Sequence, residues 1–341
     1  MLLVLCYWAV MVLFYIIASK LGDRKDKFTW VNTAINLAVY FVCLIMGLRM
    51  GSNEEITSSL STIGVQSVIV TVLCVTGSMF FVFLTRKLVH MGKDGRILSK
   101  DEIKMMKDRN TANGPEGDQA ANPEENTNSE NTNSDSLKFT LMIIFLVAAG
   151  MAAGYFIVPV AIGIEIFTDI SSKLLVFGTG MILATVGFSL GLSGDVFKNI
   201  KTAGYRVIFF PFAAILGSLA MGIIYGLIGP LTVREAMAVS MGFGWYTFAP
   251  GVIIDAGHAV CGAISFMHNV LRETLGIIII PLATKKFGSV EAAAIPGVAA
   301  MDICMPIVER SNQRPEIVIY SFAIGLVMCL AVPTLVPLFI G

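Results

Sequence analysis

The sequence is poor in charge. Of its 341 residues only 14% are charged, the formal net charge is +0, and 55% are apolar, whereas a soluble domain carries about 25% charged residues. So little charge excludes a water-soluble surface, and the neutral balance gives no basis for nucleic-acid binding. A CxxC pair is also missing. The six cysteines, Cys6, Cys43, Cys74, Cys261, Cys304 and Cys329, are scattered through apolar segments and read as small buried hydrophobes, not as a metal or disulfide set. The first apolar segment lacks a basic n-region and an AxA cleavage site, so it reads as a mature helix and not a signal peptide.

What the chain does have is long apolar runs, with a mean hydropathy of +0.77. Eight of them, Leu2–Ser19, Val31–Met50, Ile63–Leu84, Leu137–Ile157, Leu174–Leu192, Val207–Ile228, Val260–Ile280 and Ile317–Ile340, reach the roughly 18 residues needed to cross a bilayer. Two more, about 236–256 and 291–308, are interrupted by glycine and proline. The expected fold class is an all-α polytopic membrane protein with about eight spanning helices and two broken or re-entrant segments. Basic residues cluster after the first span (Lys20, Arg24, Lys25, Lys27), the third (Arg86, Lys87, Lys93, Arg96, Lys100), the fifth (Lys198, Lys201, Arg206) and the seventh (Lys285, Lys286). If both broken segments re-enter, this alternation puts the N-terminus and the C-terminus outside.

Residues 111–136 contain no aromatic and no basic side chain and repeat Asn, Glu and Ser, a composition that cannot offset the entropy of ordering. They read as part of a disordered cytoplasmic linker, 87–136, between an N-terminal three-helix part, 1–86, and a C-terminal transport part, 137–341. The two parts share an echo, LIMGLRMG against TVGFSLGLSG, with Gly47 and Gly51 matching Gly187 and Gly191. Each pair places two small residues on one helix face, which favours close helix approach. Three spans separate the two segments, the arrangement of an inverted-repeat secondary transporter.

An acidic side chain within an apolar segment costs about 2.5–3.5 kcal/mol at mid-membrane, so each one needs a reason. Glu273 lies in FMHNVLRETLGIIIIP, with Asn269 one turn earlier and Arg272 and His268 on a neighbouring stripe; the plainer reading is a structural ion pair. Asp302 lies in AAMDICMPIVER, preceded by Pro296, and Pro306 removes the N–H that would bond the carbonyl of residue 302; the plainer reading is an acid at a loop edge. Asp255 follows MGFGWYTFAPG and is as readily a solvated segment end as a site. In that stretch Gly242 and Gly244 let the backbone leave helical geometry, Pro250 frees the carbonyl of Tyr246, and Trp245, Tyr246 and Thr247 can wall a polar cavity; an interfacial aromatic belt would explain only the rings. Two interrupted segments, each beside a carboxylate, point to a substrate site near the bilayer midplane.

Taken together, AMAVSMGFGWYTFAPG, RETLGIIIIPL and AAMDICMPIVER resemble the LysO family of bacterial L-lysine exporters over most of residues 137–341. The resemblance implies a non-enzymatic exporter of L-lysine and its analogue thialysine in the bacterial inner membrane. It also implies proton antiport, no cofactor, and a function carried by two intramembrane acids, which fall on Glu273 and Asp302. His268 and Asn269 depart from the Asn–Asp pair of the family pattern. The bilayer is the surrounding partner, and a homodimer is compatible with the sequence. Two rival readings remain on the residues alone. One is a sodium-coupled transporter of an organic anion, since carboxylates and freed carbonyls suit Na+. The other is an intramembrane aspartyl protease using Asp302 and Asp255.

Overall fold

The computed structural model describes residues 2–21, 30–96, 129–193, 205–312, 314 and 316–341. The bulk of the predicted linker, 97–128, therefore lies outside the described residues. Among those described, every regular element is helical. The long helices are α1 (Leu2–Ser19), α2 (Trp30–Gly51), α3 (Leu60–Leu88), α4 (Ser129–Phe156), α5 (Ile164–Ser193) and α6 (Phe209–Ile228). Two broken segments and two more long helices follow: α7 (Val233–Ser240) with α8 (Ala249–Asp255), α9 (Ala259–Lys286), α10 (Ser289–Ala293) with α11 (Met305–Ser311), and α12 (Glu316–Ile340). Among the described residues six helices are long and apolar enough to cross a membrane, and apolar stretches of α1 and α4, Trp8–Ser19 and Leu141–Phe156, are shorter. Helix α4 begins at Ser129, inside the stretch read from composition as linker, and α5 begins at Ile164, well before the span read at Leu174.

The broken segments are re-entrant hairpins, and their local chemistry explains why. Thr232 and Glu235 form a capping box that starts α7, satisfying the first free N–H groups of the helix. Pro250 and Pro306 each stand in the first turn of the returning arm, α8 and α11, where a missing N–H costs nothing. Both ends of the first hairpin lie on one face of the protein. Glu235 in the first turn of α7 is 2.8 Å from His258, just past α8. Both ends of the second lie on the other face. The Ser289 N–H donates to the Lys93 carbonyl at 2.9 Å, and Arg314 pairs with Asp94 at 3.0 Å. The faces are opposite because α9 runs parallel to α3, with Ser67 against Ile264 and Ser78 against Arg272. The tips of the hairpins meet in between. The Val298 N–H donates to the Phe243 carbonyl at 2.8 Å.

The helices divide into two bodies. In the first, here the panel, α1 packs on α5, and α2 packs on α4 and α5. The second, the core, holds α3, α6, α9, α12 and both hairpins. Close approach through glycine works as the spacing suggested. Gly47 and Gly51 of α2 lie against the α4 backbone at Val147 and Met151, and Gly187 and Gly191 of α5 against the α1 backbone at Met11 and Tyr15. In the core, Gly77 of α3 and Gly217 of α6 face each other's carbonyls, and the adjacent Ser78 and Ser218 hydroxyls are 2.8 Å apart. Those serines are 140 residues apart in sequence, and the same spacing relates Gly77 to Gly217, Gly47 to Gly187 and Gly51 to Gly191. A second, shorter spacing relates Glu235 to Glu291, Pro250 to Pro306, Ser265 to Ser321 and Pro281 to Pro337, and so lays hairpin one and α9 onto hairpin two and α12.

A side chain at the α3–α6 crossing has no room. A Cβ on Gly217 would overlap the Gly77 carbonyl, whereas one on Gly64, also in α3, would meet nothing within 4 Å. Gly217→Leu is therefore expected to lower stability by about 1–3 kcal/mol or more, and Gly64→Leu to leave it unchanged, as measured by thermal unfolding in detergent. Equal unfolding temperatures for the two variants would contradict the close crossing.

Five of the six cysteines are buried, as expected for small hydrophobes, and Cys6 is exposed.

Candidate functional site

A cavity of about 520 Å³ lies between panel and core. The core side supplies Gly244, Trp245, Tyr246 and Thr247 from the first hairpin tip, Glu273 from α9, and Met301 to Ile303 from the second hairpin. The panel side supplies Ile35, Asn36 and Val39 from the first half of α2, and Ile182, Val186 and Ser189 from the second half of α5. Those halves place the cavity between the hairpin tips and the face on which hairpin two is based.

Asp302 is exposed to this space, at the end of the 3-10 turn Gly297–Met301. One of its oxygens accepts the Ile303 N–H at 2.6 Å. Its main-chain carbonyl, expected to be free because of Pro306, accepts the Met305 N–H at 3.2 Å. A turn bond replaces the lost helical one, so the carbonyl is not an open ligand. Glu273 reaches the cavity wall from α9 while 3% exposed. Trp245 and Tyr246 are anchored by ring contacts to Phe248 and Phe266, at centroid distances of 5.3 and 6.3 Å, so the aromatic wall is held rigid.

The other predicted site residues are placed differently. Asn269 is fully buried beneath the first hairpin tip. Its Oδ1 accepts the Gly244 N–H at 2.6 Å, and its Nδ2 donates to the Ser265 carbonyl at 2.7 Å. Gly244 has φ +92°, a left-handed conformation that favours glycine, and this aims its N–H at Asn269. Gly242 lies where a Cβ would strike the Asn269 amide. Asn269, Gly242 and Gly244 thus fix the tip, and only Gly244 also lines the cavity. His268 is fully buried, with Nδ1 2.9 Å from the Thr71 hydroxyl of α3.

Arg272 points into the core, away from the cavity. Its guanidinium donates to Ser218 Oγ at 3.1 Å, Ser78 Oγ at 3.0 Å and the Ile295 carbonyl at 3.0 Å, and it sits over the Phe243 ring. It ties the second hairpin to the α3–α6 crossing. Asp255 is not at the cavity either. It is at the end of α8, paired with Arg49 of α2. Asp255 and Asp302 therefore do not come together as a proton-sharing dyad, which removes the geometric basis of the protease reading.

Sequence reasoning missed Asn36 and Ser189, the polar side chains that the panel offers to the cavity, and the buried Arg86–Glu291 pair that holds the base of hairpin two to α3. The echo at Gly47 and Gly187 was the available signal for the panel, since Asn36 and Ser189 lie on the same two helices.

A model of the family described as lysine exporter LysO matches residues 144–340, which include both hairpins, Glu273 and Asp302. The chain is 25% identical over 205 residues to the lysine exporter LysO of Escherichia coli K12, a match covering 60% of this chain and 64% of that protein. It is 30% identical over 165 residues to a Haemophilus influenzae protein provisionally assigned as a lysine exporter, covering 48% of this chain and 80% of that protein. The chain thus spans somewhat less than two thirds of the length of its Escherichia coli relative. No solved structure matches. With more than half of its length matched by the family model, and with the hairpins and both cavity acids inside the match, the chain belongs to the lysine exporter LysO family.

Proposed function

We propose that the protein exports L-lysine across the bacterial inner membrane in exchange for protons. The observation that carries this reading is the charge of the cavity. Two carboxylates, Glu273 and Asp302, line it, and no lysine or arginine does among the described residues. Such a space suits a cationic substrate and disfavours an organic anion. The buried aromatic wall at Trp245 and Tyr246 suits an aliphatic stem, and thialysine, with the same charged groups and one sulfur in place of a methylene, fits the same description.

Orientation follows from the basic residues. Arg86, Lys87, Lys93, Lys285 and Lys286 end α3 and α9 or follow α3 closely, at the face where hairpin two is based. That face is cytoplasmic by the positive-inside rule, so the cavity lies on the side from which lysine is loaded. The two sequence spacings, one relating α2 to α5 and the other relating the hairpins, support an inverted repeat, whose two halves exchange conformations as the site faces one side and then the other.

Moving one positive charge outward against an inside-negative potential costs about 2.3 kcal/mol per 100 mV. Inward passage of one proton per lysine cancels that charge movement. Ionised Asp302 pairs with the substrate ammonium, and its protonation releases the substrate on the far side. Glu273, on α9 in the same core side of the cavity, supports the same exchange.

The test uses purified protein in vesicles with an imposed pH gradient. Lysine is expected to move against the proton gradient and to dissipate it, with or without sodium. Transport that ignores the pH gradient and requires sodium would overturn proton exchange and favour sodium coupling.

A further inference from the structure

A second, smaller space lies between panel and core, on the side where hairpin one is based. It measures about 230 Å³ and is lined by Leu175, Val176 and Thr179 of α5 and by Val252 and Asp255 of α8. The longer repeat spacing carries Ile35, Asn36 and Val39, the three α2 residues that line the large cavity, onto these same three α5 residues. Matching positions on matching helices therefore line two spaces on opposite faces, one wide and one pinched. Across the pinched one, Arg49 of α2 pairs with Asp255 of hairpin one, and the Ser172 hydroxyl of α5 donates to the same Asp255 oxygen at 3.2 Å. The pair spans panel and core. The two repeat spacings put Ser189 opposite Arg49 and Ser311 opposite Asp255 in register, so the positions that match this pair carry no charge.

We propose that the pinched space is the second passage of the transport cycle, and that Arg49 and Asp255 form a latch that keeps it closed while the large cavity is open. This rests on the inverted-repeat transporter reading but not on lysine as its substrate. Breaking the latch removes an interaction present in one state alone, and so shifts the balance toward the state in which the space at Thr179 opens.

Thiol accessibility tests this without substrate. Thr179→Cys reports on the pinched space and Asn36→Cys on the wide cavity. Each is labelled in sealed vesicles with a charged, membrane-impermeant thiol reagent added to one side or the other, against the background of the unsubstituted chain. With Asp255→Asn, labelling at position 179 from the hairpin-one face is expected to rise about fivefold or more, and labelling at position 36 from the opposite face to fall. Arg49→Gln, which removes the other half of the pair, must give the same shift. The double reversal Arg49→Asp with Asp255→Arg must return both rates toward their starting values. Unchanged labelling in either single variant, or labelling at 179 that stays raised in the double reversal, would overturn the latch. No readout involves lysine, so a failure here and a failure of the lysine-export reading remain distinguishable.

Discussion

Asp302→Asn is expected to stop coupled transport while leaving the protein folded. Asparagine has the size of aspartate and still accepts the Ile303 N–H that holds the side chain. It cannot take up a proton or carry a negative charge, so it cannot alternate between holding an ammonium group and releasing it. Loss of one partner from a close charge pair typically removes about 2 kcal/mol or more. Lysine-driven proton flux in proteoliposomes should therefore fall by about 30-fold or more, with the unfolding temperature unchanged. Full lysine-driven flux in this variant would remove Asp302 from the exchange. A fall in flux accompanied by loss of folded protein would assign it a structural role instead.

Arg272→Ala has the opposite signature: a large loss of stability. The side chain is 0% exposed, and its guanidinium joins three elements through Ser78, Ser218 and Ile295. Truncation leaves a void beside Phe243 and deprives the Ile295 carbonyl of its donor. A void of this kind and an orphaned buried acceptor together cost about 3–5 kcal/mol. Thermal unfolding in detergent is the measurement. The expected result is a strongly lowered midpoint, with transport lost in proportion to folded protein. If Arg272→Ala kept its stability and raised only the KM for lysine, Arg272 would be a substrate ligand, and its inward orientation would be irrelevant to function.

Much of this architecture was legible in the sequence, because a bilayer imposes simple rules. Apolar length marked the long helices, and Gly244, Pro250, Pro296 and Pro306 marked the two interruptions. The cost of an acid within apolar sequence singled out Glu273 and Asp302, both of which line the cavity. Three things escaped. Direction around a helix was the first. Residues 272 and 273 differ by about 100°, so one faces the core and the other the cavity, and composition cannot say which. Partners distant in sequence were the second. Arg49 and Asp255 are 206 residues apart, and nothing local to either predicts the other. The third was backbone compensation at breaks. Proline removes a helical bond, but the turn before it supplies another, which is how the Asp302 carbonyl came to accept from Met305. Asn269 combined the first and third problems, since it faces a hairpin tip whose irregular backbone needs an acceptor at Gly244.

The shorter spacing, which lays one hairpin onto the other, carries a genealogical consequence. In the inverted-repeat reading, each hairpin with its following helix descends from one ancestral unit. The twin of Glu273 is then Cys329, and the twin of Asp302 is Tyr246. All four line the cavity, yet each acid is matched by an uncharged twin. A symmetric pair assembled from either unit alone would bring two glutamates or two aspartates to the cavity, never one of each. In that reading the present charge pattern belongs only to the joined and diverged chain, with one acid inherited from each copy.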